Sequence, residues 1–473
     1  MTAIVTSNFR TVNAENFKQD VADANTSVYV GIGKADAWSS QLSDTTDGAI
    51  SQFPPADNLD VLGEAHQNMI GMKLVNSADI SHVVPRYTWT SNNSYYAWDS
   101  SQADIFDQQF YIITSEFKVY KCIVAGAAGS SQQPTQTLTQ PQAESDGYVW
   151  KYMYTIAVAD AEKFLTNSYM PVKKVDPRAG SQSTDYSSDS TAEAALSEGD
   201  YAQYLNQKAS VNDTKAAGIE RIEILPGKGG TYSSGTVPTV IITGDGIDAA
   251  ATAVMNSAGT AVESFTITNK GTDYSVADIT FSSGDAEARA IIAPKNGHGT
   301  DPVSELGAFF IGLNTQLIGA DGNGDLTVGN DFRQVTLIKN PLNYDKAAIA
   351  TATTRKALRY LDFVSGVTVT NYTVDEVITG GTSLAKAFVA ERDATSGYLY
   401  YYQNAKTGYK PFQAGETITG GTSNTAGALE SGSSALGNPE IYPASGTIMF
   451  LENRNPINRT TTQIEDIKVI IEF

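Results

Sequence analysis

Few residues in this chain have the type and spacing that chemistry demands, and each set falls short. The three histidines are His66, His82 and His298, and none has the H-x-x-x-H spacing that sets two imidazoles over zinc on one helix face. Cys122 is the single cysteine, so neither a cysteine metal cluster nor an intrachain disulfide can form. In Tyr120-Lys121-Cys122-Ile123-Val124 it reads as a small buried apolar group. Asp321-Gly322-Asn323-Gly324-Asp325 matches the start of a calcium loop. Leu326 then stands where glycine is required and Phe332 where a bidentate glutamate is required, so a polar turn is expected. Gly31-Ile32-Gly33 lacks the third glycine of a dinucleotide fingerprint, and the Gly244-Asp245-Gly246 and Gly380-Gly381 turns lack the Lys-Ser/Thr of a phosphate loop. No G-x-S-x-G elbow occurs. With 52 Asp and Glu in the chain, two carboxylates at glycosidase distance would arise by chance, so that pattern carries no weight. His298, in Gly297-His298-Gly299-Thr300-Asp301-Pro302, reads as part of a structural loop. We expect no catalytic residue, no metal site and no cofactor.

Aromatic clusters are the better hint of binding. Trp89, Tyr95, Tyr96 and Trp98, and further on Tyr398, Tyr400, Tyr401 and Tyr402, could form an exposed face. Alternate core and rim positions of strands explain the same pattern and are the better reading. The 52 acidic residues stand against 32 Lys and Arg, a net charge of −20. Such a surface repels phosphate, which argues against nucleic acid and an anionic membrane as partners. No signal peptide and no run of about 18 apolar residues is visible, so no membrane span and a reducing cytoplasm are expected.

The elements that would position these residues are short strands and turns. Gly, Ser and Thr are abundant, and aromatics form 10% of the chain, which suits a folded, β-rich protein. Ala3–Thr6 reads as a strand, followed by a helix capped by Asn13 with Phe17 and Val21 on one face. Ser27–Gly33 reads as a strand. Leu59–Met72 reads as a helix capped by Asp57 or Asp60, with Val61, Ala65 and Met69 at four-residue spacing. Pro85 should end any strand through Val83-Val84. Tyr95–Trp98, Phe110–Ile113, Phe117–Tyr120 and Tyr148–Ile156 read as strands, and 39–57, 126–145 and 179–200 as loops.

Two internal repeats shape the architecture. Gly229-Gly230-Thr231-Tyr232 and Val240–Gly246 recur as Gly271-Thr272-Asp273-Tyr274, Ile279-Thr280-Phe281 and Gly284-Asp285. Glu376-Val377-Ile378-Thr379-Gly380-Gly381-Thr382-Ser383 recurs as Glu416-Thr417-Ile418-Thr419-Gly420-Gly421-Thr422-Ser423. A two-stranded unit is marginal alone, so paired units should pack as small β modules inserted into surface loops. The expected fold is mainly β. A multi-layered β-sandwich core with helix-bearing loops would take residues 1–215, 296–357 and 438–473, with repeat modules at 216–295 and 358–437.

A further set of segments carries a resemblance. It comprises Ala3-Ile4-Val5-Thr6-Ser7-Asn8-Phe9-Arg10-Thr11, Ala37-Trp38-Ser39-Ser40, Val83-Val84-Pro85-Arg86 with Trp89, and Asp146-Gly147-Tyr148-Val149-Trp150-Lys151-Tyr152. Phe332-Arg333-Gln334-Val335, Ile338-Lys339-Asn340-Pro341-Leu342 and Glu452-Asn453-Arg454 with Pro456-Ile457 and the strand to Phe473 complete it. In that order the segments resemble the gene-eight baseplate wedge family of T4-like contractile-tailed phages. The resemblance covers about two-thirds of the chain and leaves the repeats outside. It implies a three-layered β-sandwich, a homodimer, contacts with other wedge subunits around a central hub, and a structural, non-enzymatic role in the virion tail baseplate after assembly in the host cytoplasm. Candidate structural or interface residues are Arg10, Trp38, Arg86, Trp89, Trp150, Arg333, Asn453, Arg454 and Arg459. Arginine forks beside turns hold carboxylates and carbonyls in fixed geometry, and for Arg333 and Arg454 the structural role is expected. The alternative is a glycan- or host-surface-binding tail module carried by the repeats. A polysaccharide-degrading enzyme is a more distant rival, requiring a cleft with two carboxylates.

Overall fold

The computed structural model describes residues 3–38, 54–175, 196–211, 217–319, 325–326 and 328–473. The fold is mainly β, with antiparallel pairing throughout its named strand ladders. The chain divides into two compact units. One takes Met1–Glu15, Ser81–Gly312 and Ile471–Phe473, and the other Asn16–Ile80 and Leu313–Ile470.

In the first unit the central sheet orders the strands Tyr111–Ile113, Lys118–Val124, Val149–Thr155 and Gln142–Ala143. Val119 and Met153 pack from one face of it against Val84, Met170 and Val172 of the paired strands Ile80–Pro85 and Tyr169–Val172. The other face buries Tyr120, Cys122, Trp150 and Tyr152 with Tyr95 and Ala202, the last on the helix Glu198–Val211. A sheet covered on both faces explains why its strands carry apolar residues on both faces instead of alternating. Cys122 is fully buried, and burial pushes its thiol well up, so it is inert packing. Residues Ile219–Ile292 add a four-stranded and a two-stranded sheet around their own apolar cluster.

The second unit holds a five-stranded sheet, in the order Thr354–Lys356, Met69–Leu74, Val28–Gly33, Asp331–Lys339 and Thr447–Asn458. Val28–Gly33 is buried along its whole length. A seven-stranded sheet, with strands between Arg359 and Gly437, surrounds a second self-contained cluster that includes Tyr372, Ile378, Val389, Leu399 and Ile418.

Several local expectations need correction. Ala3–Thr6 has no regular structure, and the helix runs Ser7–Ala22. Its start is fixed by Thr6, whose hydroxyl accepts from the Phe9 N–H at 3.3 Å, not by Asn13. The second helix is only Leu59–Asn68, capped by Asn58, whose side chain accepts from the Val61 N–H at 2.9 Å. Met69, whose spacing suits a helix, instead opens a strand, because the sheet beside Val28–Gly33 takes it. Tyr95–Trp98 is irregular: the Tyr96 and Trp98 N–H groups bond singly to Gln109 and Cys122 and form no ladder. The strand through Val83-Val84 does end at Pro85. The start of the calcium-like loop, residues 321–324, lies outside the described residues, as do 39–53 and 179–195 from the expected loops. The Asp325 carboxylate accepts from Lys73 Nζ at 2.8 Å and from the Ile318 N–H at 2.7 Å.

Candidate functional site

The residues singled out by sequence fall into separate anchors, not one cleft. Arg10 joins the two ends of the first unit. Its guanidinium donates to the backbone oxygen of Phe473 and to the Glu472 carboxylate, and lies 3.6 Å from the centre of the Phe309 ring. Nearby, buried His82 meets the Glu15 carboxylate through Nε2 at 2.7 Å and the Ala308 carbonyl through Nδ1 at 2.9 Å. Arg86 donates to the Thr166 carbonyl at 2.9 Å. Trp89 donates from Nε1 to the Ser130 hydroxyl at 3.1 Å, and Trp150 is buried, stacked on Tyr148 at 5.7 Å.

In the second unit, buried Arg333 donates to the Ala35 carbonyl and, at 2.9 Å, to Asp331. One residue beyond Ala35, Asp36 holds Lys34 and Lys406, each at 2.8 Å. Burial pushes the Asp36 carboxyl up, but the two ammonium groups outweigh it and hold it below the usual range. Trp38 lies beside this cluster, its ring 5.4 Å from Lys34 Nζ. Asn453 accepts from Gln334 Nε2 at 3.0 Å across the strand pair, Arg454 bonds Glu452 at 2.9 Å, and Arg459 makes a buried pair with Glu465 at 2.9 Å.

Sequence reasoning missed a buried ionic cluster in the first unit. Lys121 and Lys151 stand opposite each other on paired strands, an arrangement that is repulsive unless compensated. Lys121 bonds Glu305 at 2.9 Å and lies 3.9 Å from the centre of the Trp98 ring. The Glu305 carboxylate also accepts from the Gly299 and Asp301 N–H groups, so it clamps the loop containing His298. Lys151 bonds Asn206 at 2.7 Å. His298 is buried, with Glu220 and Glu305 nearly 4 Å from its two nitrogens. Burial, then the charges of Lys121, Lys270, Lys151 and Arg221, hold it far below the usual imidazole range, so it stays neutral. Among the described residues no group of three His, Cys, Asp or Glu could hold a metal ion. No described helix is long and apolar enough to cross a membrane.

The repeat motifs do something their spacing alone does not reveal: in each pair, one copy caps the other. The strands Val377–Gly380 and Thr417–Gly420 pair antiparallel with Thr379 opposite Thr419, so the copies face each other about a local pseudo-two-fold. The Glu376 carboxylate accepts from the N–H groups of Thr422 and Ser423 and from the Ser423 hydroxyl, at 2.7 to 2.9 Å. Glu416 does the same for Thr382 and Ser383, at 2.8 to 3.0 Å. Burial pushes both carboxyls up, but these donors outweigh it and hold both below the usual range. Gly380 and Gly420 are required because a Cβ would lie 2.6 Å from the partner carboxylate. In the first pair, Thr231 N–H donates to Asp285 at 2.6 Å, and Ser275 N–H to Asp245 at 2.8 Å. There the rings of Tyr232 and Tyr274 cover Gly284 and Gly246, the turn glycines of the opposite copy.

The aromatic clusters divide in the same local way. Tyr95, Tyr401 and Tyr402 are core, Tyr398 stacks on Tyr360 at 4.2 Å, and Tyr96 is exposed. A groove of about 720 Å³ in the second unit is lined by His66, Arg359, Tyr401, Tyr409, Pro411 and Pro439, among others. Asp60 and Glu64 of the same helix line it beside His66, whose pKa burial lowers.

Anchors of this kind tie together segments distant in the sequence within each unit. Residues 3–123 match the family model of bacteriophage T4 Gp8. The match covers roughly a quarter of the chain and supports a structural subunit of the baseplate wedge. Its span holds Arg10, Trp38, Arg86 and Trp89, and it ends inside the strand that carries Lys121 and Cys122. No curated protein matches the chain.

Proposed function

We propose that this protein is a non-catalytic structural subunit of a phage tail baseplate wedge, present as a homodimer and bridging neighbouring wedge proteins around the central hub. The match of residues 3–123 to Gp8 carries the reading. The physical support is the closure of the first unit: Arg10 and Glu15 fasten the opening helix to the segment around Phe309 and to the final residues, so load entering either end reaches the buried sheet. The acidic surface favours protein neighbours over nucleic acid or an anionic membrane. The repeat pairs at 216–295 and 358–437 are, on this reading, insertions into the wedge core, since each draws its apolar cluster from its own residues. Two measurements test the proposal. The purified chain should have the solution mass of a dimer, and a phage lacking it should make no complete baseplate. A monomer or trimer would remove the dimer, and normal baseplates without the chain would remove the structural role.

A second reading assigns glycan binding to the second repeat pair. It is favoured by the 720 Å³ groove, whose wall combines exposed Tyr409 with Arg359, Asp60 and Gln403, groups that stack on sugar rings and bond hydroxyls. Loss of host adsorption with intact baseplates in a Tyr409→Ala, Arg359→Ala phage would support it, and unchanged adsorption would remove it.

A further inference from the structure

Lys151 and Asn206 are a nucleophile and an electrophile buried in contact. Lys151 is 2% exposed and Asn206 0%, and Lys151 Nζ donates to Asn206 Oδ1 at 2.7 Å. A C=O bond of about 1.2 Å puts the amide carbon within about 3.9 Å of that nitrogen. Attack on a carbonyl starts from about 3–3.5 Å. Burial beside a second lysine, Lys121 on the paired strand, is the setting in which a lysine acts as a nucleophile. The arm is held in place. Lys151 Nζ also donates to the Thr139 carbonyl, and a Cβ on Gly299 would lie 2.9 Å from Lys151 Cε and 3.5 Å from Nζ. The Ser210 hydroxyl bonds the carbonyls of Asn206 and His298, at 2.9 and 2.6 Å, so the helix bearing Asn206 is tied to the loop bearing His298. Lys151 and His298 line one cavity of about 50 Å³. Neither ring nitrogen of His298 has a hydrogen-bond partner among the described residues, so this imidazole is open to a proton.

We propose that Lys151 and Asn206 join in an intramolecular amide bond, a self-modification independent of the wedge reading above. Neutral Lys151 attacks the Asn206 amide carbon through Nζ, and a new C–N bond forms. The proton lost from Nζ passes to His298 and from there to Asn206 Nδ2. The bond from the amide carbon to Nδ2 then breaks and releases ammonia, with no co-reactant. The cavity of about 50 Å³ exceeds the about 10–15 Å³ that holds one water, so it has room for the departing ammonia. Escape of ammonia makes the step irreversible. The bond fastens the helix Glu198–Val211 to the central strand Val149–Thr155. Like a disulfide, it restricts the unfolded chain between two residues 55 positions apart.

Mass spectrometry of the purified full chain under denaturing conditions tests the proposal. The wild-type chain should weigh one ammonia less than its sequence, and digestion should yield a branched peptide joining the segments around Lys151 and Asn206. Asn206→Ala should restore the full mass. The His298→Phe chain, sampled soon after synthesis, should hold at least tenfold less bonded product than wild type. Separate, unbranched Lys151 and Asn206 peptides from the wild type would overturn the proposal, as would an ammonia deficit mapped to any other residue. An equal yield in the His298→Phe chain would overturn the proton route through His298. The wild-type peptides decide whether the bond exists even where a variant does not fold.

Discussion

In the repeat pair at 359–437 the capping carboxylates of Glu376 and Glu416 are buried, and each binds the backbone of the opposite copy. In the pair at 219–292 the corresponding Asp245 and Asp285 are exposed, and the buried part of the exchange is made by Tyr232 and Tyr274 resting on glycines. Both pairs tie two copies so that neither can close alone. One does so with charge out of water, the other with ring area and only a solvated acid at the rim. The difference sets where each should break, because a buried acceptor removed leaves unpaired donors, whereas an exposed one is replaced by water.

The largest effect is therefore expected at Glu416. Glu416→Ala strands the Thr382, Ser383 and Gln413 N–H groups and the Ser383 hydroxyl and should cost about 3 kcal/mol of stability, read by denaturant unfolding. Glu416→Gln, which keeps one acceptor oxygen, should lie between it and wild type. A double variant with Glu376→Ala should cost less than the sum, since one exchange is lost twice. Next comes Gly284→Ala. The backbone there is left-handed, with φ +80°, and a Cβ would sit 2.3 Å from the Tyr232 ring, so a loss of about 2 kcal/mol is expected.

Acid should separate the regions. Glu376 and Glu416 have lowered pKa values in the folded chain, so their contribution is complete above the unfolded value of about 4.3 and fades as pH falls through the folded values. Buried His298 works in a higher window. Its folded pKa is depressed, so the unfolded chain takes up a proton below about pH 6.5 that the folded chain refuses, and stability falls as pH drops from there. His298→Phe should flatten the stability profile between about pH 5 and 6.5, and Glu416→Gln should flatten it only at lower pH. The smallest effect is expected at Asp245→Ala. Its carboxylate is exposed and water can replace it at the Ser275 and Val276 N–H groups, so the melting temperature should barely move.

The repeats were legible as repeats, and Glu376 and Glu416 were visible at equivalent positions. That each serves the other copy was not, because a period reports likeness and says nothing of which copy touches which. Apolar runs gave most strands of the central sheet, yet Tyr95–Trp98 has the same composition and forms no ladder, Tyr95 and Ala97 packing on the face of the sheet around Trp150 while Trp98 packs with the cluster of the other face. Thr6 was hidden as a cap by the strand-like Ile4-Val5 beside it. The Lys121–Glu305 pair joins residues 184 positions apart, and nothing local in either segment announces it. Arg10 was visible as a candidate through the family resemblance, while its grip on the far end of the chain required coordinates.

The central claim is that this chain is a fixed part of the baseplate wedge. Electron cryo-microscopy of intact tails from the phage that encodes it tests that claim most directly. The account predicts density for both units within each wedge. Tails whose complete wedges contain no density for this chain would contradict it.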